Sequence, residues 1–270
     1  MPSSVTKPAT RLLARPKSTI AANLAMVKAR KMRIGESAKL NWRPVLEVVL
    51  VTAAIIVCCF ALFDRPLVML RSEVPAQLII ISEFLSRFGK SDWILIPSLA
   101  VLSLLLFLNT AELPKAKLFR LYCWNLWLSF IAAGVGLPSL AATLLKRIVG
   151  RPRPRMFEQF GLYDLQPFSV DAAFAAFPSG HSTTIAAFAV VMALLLPKYR
   201  AAFAVFAILV GFSRVGVGAH HPSDVVAGLA FGATGAYLIA KWFASHGILF
   251  LSTNANWPVL RPAFRFFVKH

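Results

Sequence analysis

The sequence predicts an all-α fold, a bundle of six transmembrane helices, and three observations support this prediction. Of the 270 residues, 58% are hydrophobic and only 15% are charged, whereas roughly a quarter of the residues of a soluble domain are charged. Several windows contain the roughly 20 mostly apolar residues that a membrane-spanning helix needs. The basic residues collect near the chain ends and in short connections, which is typical of the cytoplasmic side of a membrane protein.

The net charge of +18 does not indicate nucleic-acid binding, because of where the charge lies. Ten of the 29 basic residues lie between Lys7 and Arg43, before the first apolar run. We expect residues 1–43 to form a basic, flexible cytoplasmic tail, which can also contact anionic lipid headgroups. Organelle transit peptides have a similar composition and are the alternative for this segment.

Six apolar runs predict the transmembrane helices. In chain order they are Val45–Phe63, Trp93–Thr110, Leu121–Leu145, Ser182–Leu196, Ala201–Phe212 with its continuation toward Arg214, and Val225–Phe243. We expect a membrane domain over residues 44–245, with a motif core at 121–243, and a short basic cytoplasmic tail at 246–270. An even number of spans places both termini on one side of the membrane, which the basic residues predict to be the cytoplasm.

Two segments separate the first and second predicted spans. Asp64–Pro75 has mixed charge and two prolines, so it predicts an exterior loop. Ala76–Lys90 has one apolar helical face but is too short and too charged to span, so it predicts a helix at the membrane surface, where it would guide or gate a lipid. In the sixth span, Gly228 and Gly232 permit close helix packing, which we expect inside the bundle rather than in a dimer. The oligomeric state stays open.

Polar residues are concentrated between Lys146 and Asp224, on the predicted outer side of the membrane. They lie in three segments: KRIVGRPRP at Lys146–Pro154, FPSGHS at Phe177–Ser182 and SRVGVGAHHPSD at Ser213–Asp224. The positive-inside rule does not explain cations on this side. We therefore interpret these residues as carrying chemistry.

The first segment is a dense group of cations. Five basic residues fall within ten positions: Lys146, Arg147, Arg151, Arg153 and Arg155. A single lysine at a helix end usually extends its ammonium group to the interface, without a catalytic role. Here the planar guanidinium groups suit phosphate oxygens, and the prolines restrict the backbone. The segment therefore predicts a rigid phosphate-binding site.

The second segment predicts the start of a helix that can bind an anion. Ser179 is a good N-cap residue, and the free N–H groups of a helix start favour an anion. Gly180 lets the backbone approach a ligand closely, and His181 lies beside these donors. Simple capping is the alternative role for Ser179.

The third segment places a histidine four residues before a carboxylate. Asp224 is near enough in sequence to hydrogen-bond one imidazole nitrogen of His220, as a carboxylate does in a catalytic triad. The alternative is that Asp224 stabilises the start of its own helix. Arg214 ends the fifth predicted span nearby. His221 has no partner by spacing, and we interpret it as a bystander.

Together the three segments resemble the signature motifs of the type 2 phosphatidic acid phosphatase (PAP2) superfamily, in its membrane-integral branch. The motifs K-x6-RP, PSGH and SR-x5-H-x3-D match this sequence at every motif position. The resemblance implies six transmembrane helices, no metal or other cofactor, and a phosphohistidine intermediate. It implies that His220 is the nucleophile, that Asp224 orients it, and that His181 protonates the leaving oxygen. The phosphate-binding residues that it implies are Lys146, Arg153, Ser179, Gly180 and Arg214.

We therefore expect metal-independent dephosphorylation of a membrane lipid phosphate, a monoester or a pyrophosphate. Phosphatidic acid, phosphatidylglycerophosphate, undecaprenyl pyrophosphate and the phosphates of lipid A are the candidate substrates. A lipid phosphotransferase with the same site is an alternative, as is an enzyme specific for undecaprenyl pyrophosphate. A phosphate-binding membrane scaffold or transporter is the non-enzymatic alternative, which the intact His181, His220 and Asp224 disfavour. We expect the protein in a bacterial inner membrane, with its site facing the periplasm.

Overall fold

The fold is a bundle of α-helices, and the computed structural model describes residues 43–108, 113–251 and 257–265. The predicted N-terminal tail lies outside these residues, except for Arg43. The α-helices are α1 (Arg43–Cys59), α2 (Arg65–Met69), α3 (Ala76–Ser86), α4 (Asp92–Phe107), α5 (Lys115–Val149), α6 (Phe157–Phe160), α7 (Gly180–Leu195), α8 (Arg200–Gly216) and α9 (Pro222–Ser245). The all-α prediction is confirmed.

Each of the six predicted spans is helical. Five helical runs are long and apolar enough to cross a membrane: Val45–Glu73, Ala76–Phe107, Lys115–Phe160, Pro197–Gly216 and Pro222–Ser245. The remaining predicted span, the fourth, is α7, which has 16 residues and is shorter than the others. The helix α5 is longer than predicted because it continues to Val149, where Gly150 ends it in the left-handed conformation with φ 63°. Glycine adopts that conformation without strain.

The short helix α7 lies at the centre of the bundle. It packs against α5, α8 and α9, and most of its residues are buried. Since seven of its 16 residues are alanine, serine or threonine, the neighbouring helices can approach it closely. The motif residues at its N-terminus are thus held by three other helices.

The glycine pair of α9 packs inside the bundle, as predicted. A Cβ atom added to Gly228 would lie 2.5 Å from the carbonyl oxygen of Ser179, and one added to Gly232 would lie 2.1 Å from that of Thr183. Both distances are too short for any side chain. The two glycines therefore let α9 contact the backbone at the start of α7.

The predicted exterior loop at Asp64–Pro75 is wrong. The chain continues from α1 through a π-helical turn at Phe60–Asp64 and α2 to a 3₁₀ turn that ends at Glu73. Pro66 lies just after the π-helical turn, at the point where the hydrogen-bond pattern of the helix changes. Asp64 is fully buried, so the charge that indicated a solvent-exposed loop has partners inside the protein.

The extra helix between the first and second spans is present as α3. It ends in a 3₁₀ turn at Arg87–Gly89 before α4 begins, and it packs against α8. Its position at the membrane surface, and its role as a lipid gate, stay predictions.

The chain after α9 folds back onto the bundle. Strands β1 (Phe250–Leu251) and β2 (Val259–Leu260) pair in antiparallel register. Phe250 and Phe264 are buried in the same apolar cluster as Phe130 of α5. The segment that we expect to be a C-terminal tail thus contains residues that pack on the bundle, while its cytoplasmic position stays a prediction.

We predict that Gly232→Ala destabilises the protein by about 1–3 kcal/mol, the range of overpacking substitutions in a well-packed core. The physical reason is the clash of the new methyl group with the Thr183 carbonyl oxygen. Thermal unfolding in detergent measures the effect. Gly136→Ala is the matched control, because a Cβ atom there would meet Leu95 at an ordinary 3.6 Å. Equal melting temperatures of the two variants would contradict the prediction.

Candidate active site

The structure brings the three sequence motifs together at one end of the bundle. The end of α5 supplies Lys146, the start of α7 supplies Gly180 and His181, and the loop between α8 and α9 supplies His220. The backbone N–H of Ser179 donates to the carbonyl oxygen of Asp224 at 3.0 Å, which joins the starts of α7 and α9.

His220 lies in the loop before α9 and is only 4% exposed. Its Nδ1 lies 2.8 Å from the carbonyl oxygen of Ala176 and 3.7 Å from Oδ2 of Asp224. A carbonyl oxygen only accepts, so this contact assigns the proton to Nδ1 and leaves the lone pair on Nε2. The sequence predicted Asp224 as the direct partner. In the structure the Ala176 carbonyl oxygen lies closer to Nδ1 than Asp224 does. The spacing of motif residues in the sequence cannot indicate a backbone carbonyl of this kind.

The Asp224 carboxylate accepts hydrogen bonds from two segments of the chain. Its Oδ1 accepts from Nη1 of Arg151 at 2.6 Å, and its Oδ2 accepts from the backbone N–H of His221 at 2.9 Å. The second bond caps the N-terminus of α9, which was the alternative role for this residue. The same Oδ2 faces His220, so the carboxylate can act on the imidazole while it caps the helix.

Lys146 and Gly180 face each other across a small gap. A Cβ atom added to Gly180 would lie 3.6 Å from Nζ of Lys146. The first N–H groups of a helix have no partner within the helix, and here they open next to an ammonium group. This pair can hold the oxygens of a phosphate.

Arg214 and His181 are bordered by α3 and the turn after it. The hydroxyl of Ser86 accepts from Nη1 of Arg214, whereas Nε of Arg214 is buried and has no partner among the described residues. A Cβ atom added to Gly89 would lie 2.7 Å from Cβ of His181. The segment from Ser86 to Gly89 thus forms one wall of the site, which no motif spacing indicated.

Comparison with known proteins agrees with this geometry. The model of the PAP2 superfamily matches residues 122–247. The chain is 42% identical over 230 residues to a lipid A 1-phosphatase of Rhizobium johnstonii, covering 84% of this chain and 91% of the relative. It is 41% identical over 229 residues to the lipid A 1-phosphatase of Rhizobium etli, covering 83% and 95% of the two chains.

The chain belongs to the PAP2 superfamily. It is 31% identical over 172 residues to an undecaprenyl-diphosphatase of Sulfolobus acidocaldarius, covering 63% of this chain and 69% of that one. Among solved structures it is similar to the transmembrane PAP2 type phosphatidylglycerolphosphate phosphatase from Bacillus subtilis, with a TM-score of 0.47 and 23% identity over 74% of this chain and 96% of the other. The identity to the lipid A 1-phosphatases, together with the apolar helices, shows an integral membrane lipid phosphatase of the PAP2 superfamily, as the motifs predicted.

Two predicted phosphate ligands of this PAP2 phosphatase also make structural contacts. Nε of Arg153 donates to the carbonyl oxygen of Ala172 at 2.9 Å, and its Nη1 donates to that of Ala219 at 3.4 Å. Ser179 is fully buried, and its hydroxyl accepts from the backbone N–H of Ser182 at 3.4 Å. Arg153 therefore joins the loop between α6 and α7 to the loop that carries His220, and Ser179 caps α7. Their contact with phosphate stays a prediction.

His221 is more than a bystander in this PAP2 phosphatase, so that interpretation is wrong. The residue is 1% exposed and is the N-cap of α9. Its backbone N–H donates to Oδ2 of Asp224, and its ring Nε2 lies 3.4 Å from the carbonyl oxygen of Pro152. Burial lowers the pKa of its ring below the ordinary value. The ring is therefore a packed, neutral part of the loop that presents His220.

One buried residue near the site, Asp64, lies outside the motifs, and no spacing in the sequence indicated it. Asp64 pairs with Arg151 although the two residues are 87 positions apart, and both are buried. The only local signal was an acidic residue at the end of the first apolar run, and that signal favoured a loop.

We predict that Gly180→Ala lowers kcat/KM by about 10- to 100-fold, since a hydrogen bond to a charged group contributes about 1.5–3 kcal/mol. The added methyl group would occupy the gap between Gly180 and Lys146 and keep a phosphate from the N–H groups. Steady-state kinetics of phosphate release measures the effect. Gly136→Ala, which lies away from the site, should keep the wild-type value. An unchanged kcat/KM in Gly180→Ala would contradict the prediction.

We predict that kcat/KM keeps its maximal value as the pH falls below about 6.5, the ordinary pKa of a histidine. The decrease of kcat/KM in still more acidic solution is called the acid limb. Burial lowers the pKa of His220, and Arg153 and Arg214 lower it further, whereas Asp224 raises it. A lowered pKa keeps the imidazole neutral, and able to attack, in more acidic solution. The pH dependence of kcat/KM reports this group in the free enzyme.

The control for this pH profile is Asp224→Asn. The substitution removes the charge that raises the pKa of His220, so the acid limb should move to still lower pH while kcat falls. A wild-type acid limb above about pH 6.5 would refute the prediction.

Proposed function

We propose that this protein removes a phosphate group from a membrane lipid by transferring it to His220, without a metal ion. The observation that carries the proposal is the placement of the His220 imidazole. Its Nδ1 is held by the Ala176 carbonyl oxygen, so Nε2 is the nitrogen with a free lone pair. Arg153 and Arg214 lie close enough to lower the pKa of this ring, and both can neutralise a phosphate.

The reaction takes two steps. In the first, Nε2 of His220 attacks phosphorus while the bond from phosphorus to the lipid oxygen breaks, and that oxygen takes a proton from His181. Burial and the nearby Arg214 lower the pKa of His181 to about 3 in the free protein, so His181 carries this proton only once the negative charge of the bound phosphate raises its pKa. In the second, a water molecule attacks phosphorus, His181 takes a proton from this water, and the bond to Nε2 breaks to release inorganic phosphate. Splitting one difficult displacement into two is the advantage of a covalent intermediate.

Fixed positive groups provide most of the catalysis in this scheme. Phosphoryl transfer depends mainly on positioning and on stabilisation of charge. Lys146, Arg153 and Arg214 hold the phosphoryl oxygens together with the N–H of Gly180, and Ser179 fixes the start of α7. Nε of Arg214 is buried and has no partner in the described part of the chain. This supports the role, because a buried donor without a partner is costly unless a ligand satisfies it.

The first candidate substrate is lipid A that carries a phosphate at its 1-position. The support is the 42% and 41% identity to proteins named lipid A 1-phosphatase, over more than nine-tenths of those proteins' length. Undecaprenyl diphosphate is the second candidate, because a relative with 31% identity is named for that activity. A phosphotransferase would use the same residues with a lipid in place of water.

We also propose an orientation, with the site in the periplasm of a bacterial inner membrane and both termini in the cytoplasm. Support comes from α7, which has His181 at its start and the basic turn that contains Lys198 after its end. Basic turns favour the cytoplasmic side, so the site lies on the other side.

The test is phosphate release by the purified protein in EDTA, with lipid A, undecaprenyl diphosphate, phosphatidylglycerophosphate and phosphatidic acid as substrates. We expect activity that withstands EDTA, is highest on the 1-phosphate of lipid A, and falls by at least about 10³-fold in His220→Ala, as with other nucleophile deletions. His246→Ala is the matched control, since His246 follows the far end of α9 and should leave the rate unchanged.

The outcomes separate the alternatives. Loss of activity in EDTA, or an active His220→Ala protein, would refute the mechanism. A modified lipid without free phosphate would identify a phosphotransferase. Preference for undecaprenyl diphosphate would overturn the substrate assignment and leave the mechanism intact.

A further inference from the structure

A buried group of charges connects α1 to the carboxylate beside His220. Arg151 is 4% exposed, and Asp64 and Asp224 are fully buried. Nη2 of Arg151 donates to Oδ2 of Asp64 at 2.8 Å, and its Nη1 donates to Oδ1 of Asp224 at 2.6 Å. These lengths are typical of charge-assisted hydrogen bonds. One guanidinium therefore joins two carboxylates from different helices.

The π-helical turn at the end of α1 explains how Asp64 reaches this position. The turn covers Phe60–Asp64, and such wide turns often occur at functional sites. It places the ring of Phe60 5.1 Å from the guanidinium carbon of Arg151, while Asp64 binds Nη2 of the same group. Two residues of one turn thus fix both the position and the direction of the guanidinium.

Asp64 also binds the start of α9 directly. Its Oδ1 accepts from the backbone N–H of Ser223 at 3.0 Å, and its Oδ2 accepts from the Ser223 hydroxyl at 2.5 Å. Nη1 of Arg151 donates to the same hydroxyl at 2.7 Å. Since Ser223 immediately precedes Asp224, Asp64 restrains both the backbone and the charged partner of the catalytic carboxylate.

We propose that Asp64 is a positioning residue for the reaction, which orients Arg151 and through it the Asp224 carboxylate beside His220. The inference rests on the proposed role of His220 as nucleophile. Two carboxylates and one guanidinium leave a net negative charge next to the imidazole. That charge favours the positive charge that develops on the ring as Nε2 attacks phosphorus. Asp64 therefore acts on the chemical step rather than on phosphate binding.

The pH dependence of His220 is set by charges from several elements. Asp224 comes from α9, Arg153 from the segment after α5, Arg214 from α8 and His181 from α7. Asp64 acts on the ring only through Arg151 and Asp224. If the negative charge of Asp64 is removed, Arg151 attracts the Asp224 carboxylate more strongly. The Asp224 charge then stabilises the protonated His220 imidazole less, and the pKa of His220 falls. The acid limb of the rate profile then moves to lower pH.

The experiment compares Asp64→Asn with the wild type, by phosphate release in detergent across a range of pH. We expect kcat to fall about 10- to 100-fold, as for outer groups that orient a reacting residue. We expect KM within about twofold and the acid limb of kcat/KM at lower pH. Asp164→Asn is the matched control, because Asp164 is exposed in the loop between α6 and α7 and should behave as the wild type.

Asp64→Glu separates charge from shape, since it keeps the carboxylate. We expect the wild-type acid limb with a partial recovery of kcat. If Asp64→Asn fails to fold, Ser223→Ala gives the second measurement, with both carboxylates retained. It should lower kcat and leave the acid limb in place.

Three results would overturn the inference. The first is a wild-type kcat in Asp64→Asn or Ser223→Ala. The second is a loss of kcat in Asp64→Asn without movement of the acid limb. The third is an acid limb at the same pH in Asp64→Asn and Asp64→Glu. An inactive wild type would instead refute the proposed function, so the two failures can be distinguished.

Discussion

The site depends on the buried contact between Arg151 and the two carboxylates of Asp64 and Asp224. Burial of charges in an apolar bundle is costly, and the attraction between them offsets this cost only when the geometry is good and further hydrogen bonds complete the set. Here Ser223 supplies two of these bonds, and His221 supplies another. Loss of one partner from such a pair typically costs about 3–5 kcal/mol. The contact therefore fixes the ends of α1, α5 and α9 relative to one another.

The groups around this contact differ in how many partners they have. Asp64, Arg151 and Asp224 have their hydrogen bonds satisfied by protein. On the neighbouring surface, Nε of Arg214 has no partner among the described residues, and the start of α7 has free N–H groups. A site that binds phosphate needs both kinds of surroundings. The satisfied groups give rigidity, and the unsatisfied donors give the phosphate its ligands.

The spans and the motif residues could be predicted because their signals are local. Apolar runs of helical length predicted a helix at each of six places, and five of the resulting helical runs are long enough to cross a membrane. The spacing from Ser213 to Asp224 placed a histidine and a carboxylate at one helix start. The pairing of Asp64 with Arg151 could not be predicted, since 87 residues separate them and charge at a helix end is equally typical of a loop. The Ala176 carbonyl was missed for a related reason, because every residue has a carbonyl oxygen and only the fold selects one.

The helix α7, which begins at the site, is short for a membrane span. Its 16 residues give about 24 Å at 1.5 Å per residue, which is less than the roughly 30 Å of the hydrocarbon layer. The helix that begins at Gly180 is also shorter than the five helical runs that are long enough to cross a membrane. Free backbone N–H groups are tolerated within the hydrocarbon layer only where they line a cavity or meet a ligand. The N–H groups at the start of α7 therefore suit a bound phosphate, and Arg153 connects the neighbouring loop to this end of the bundle.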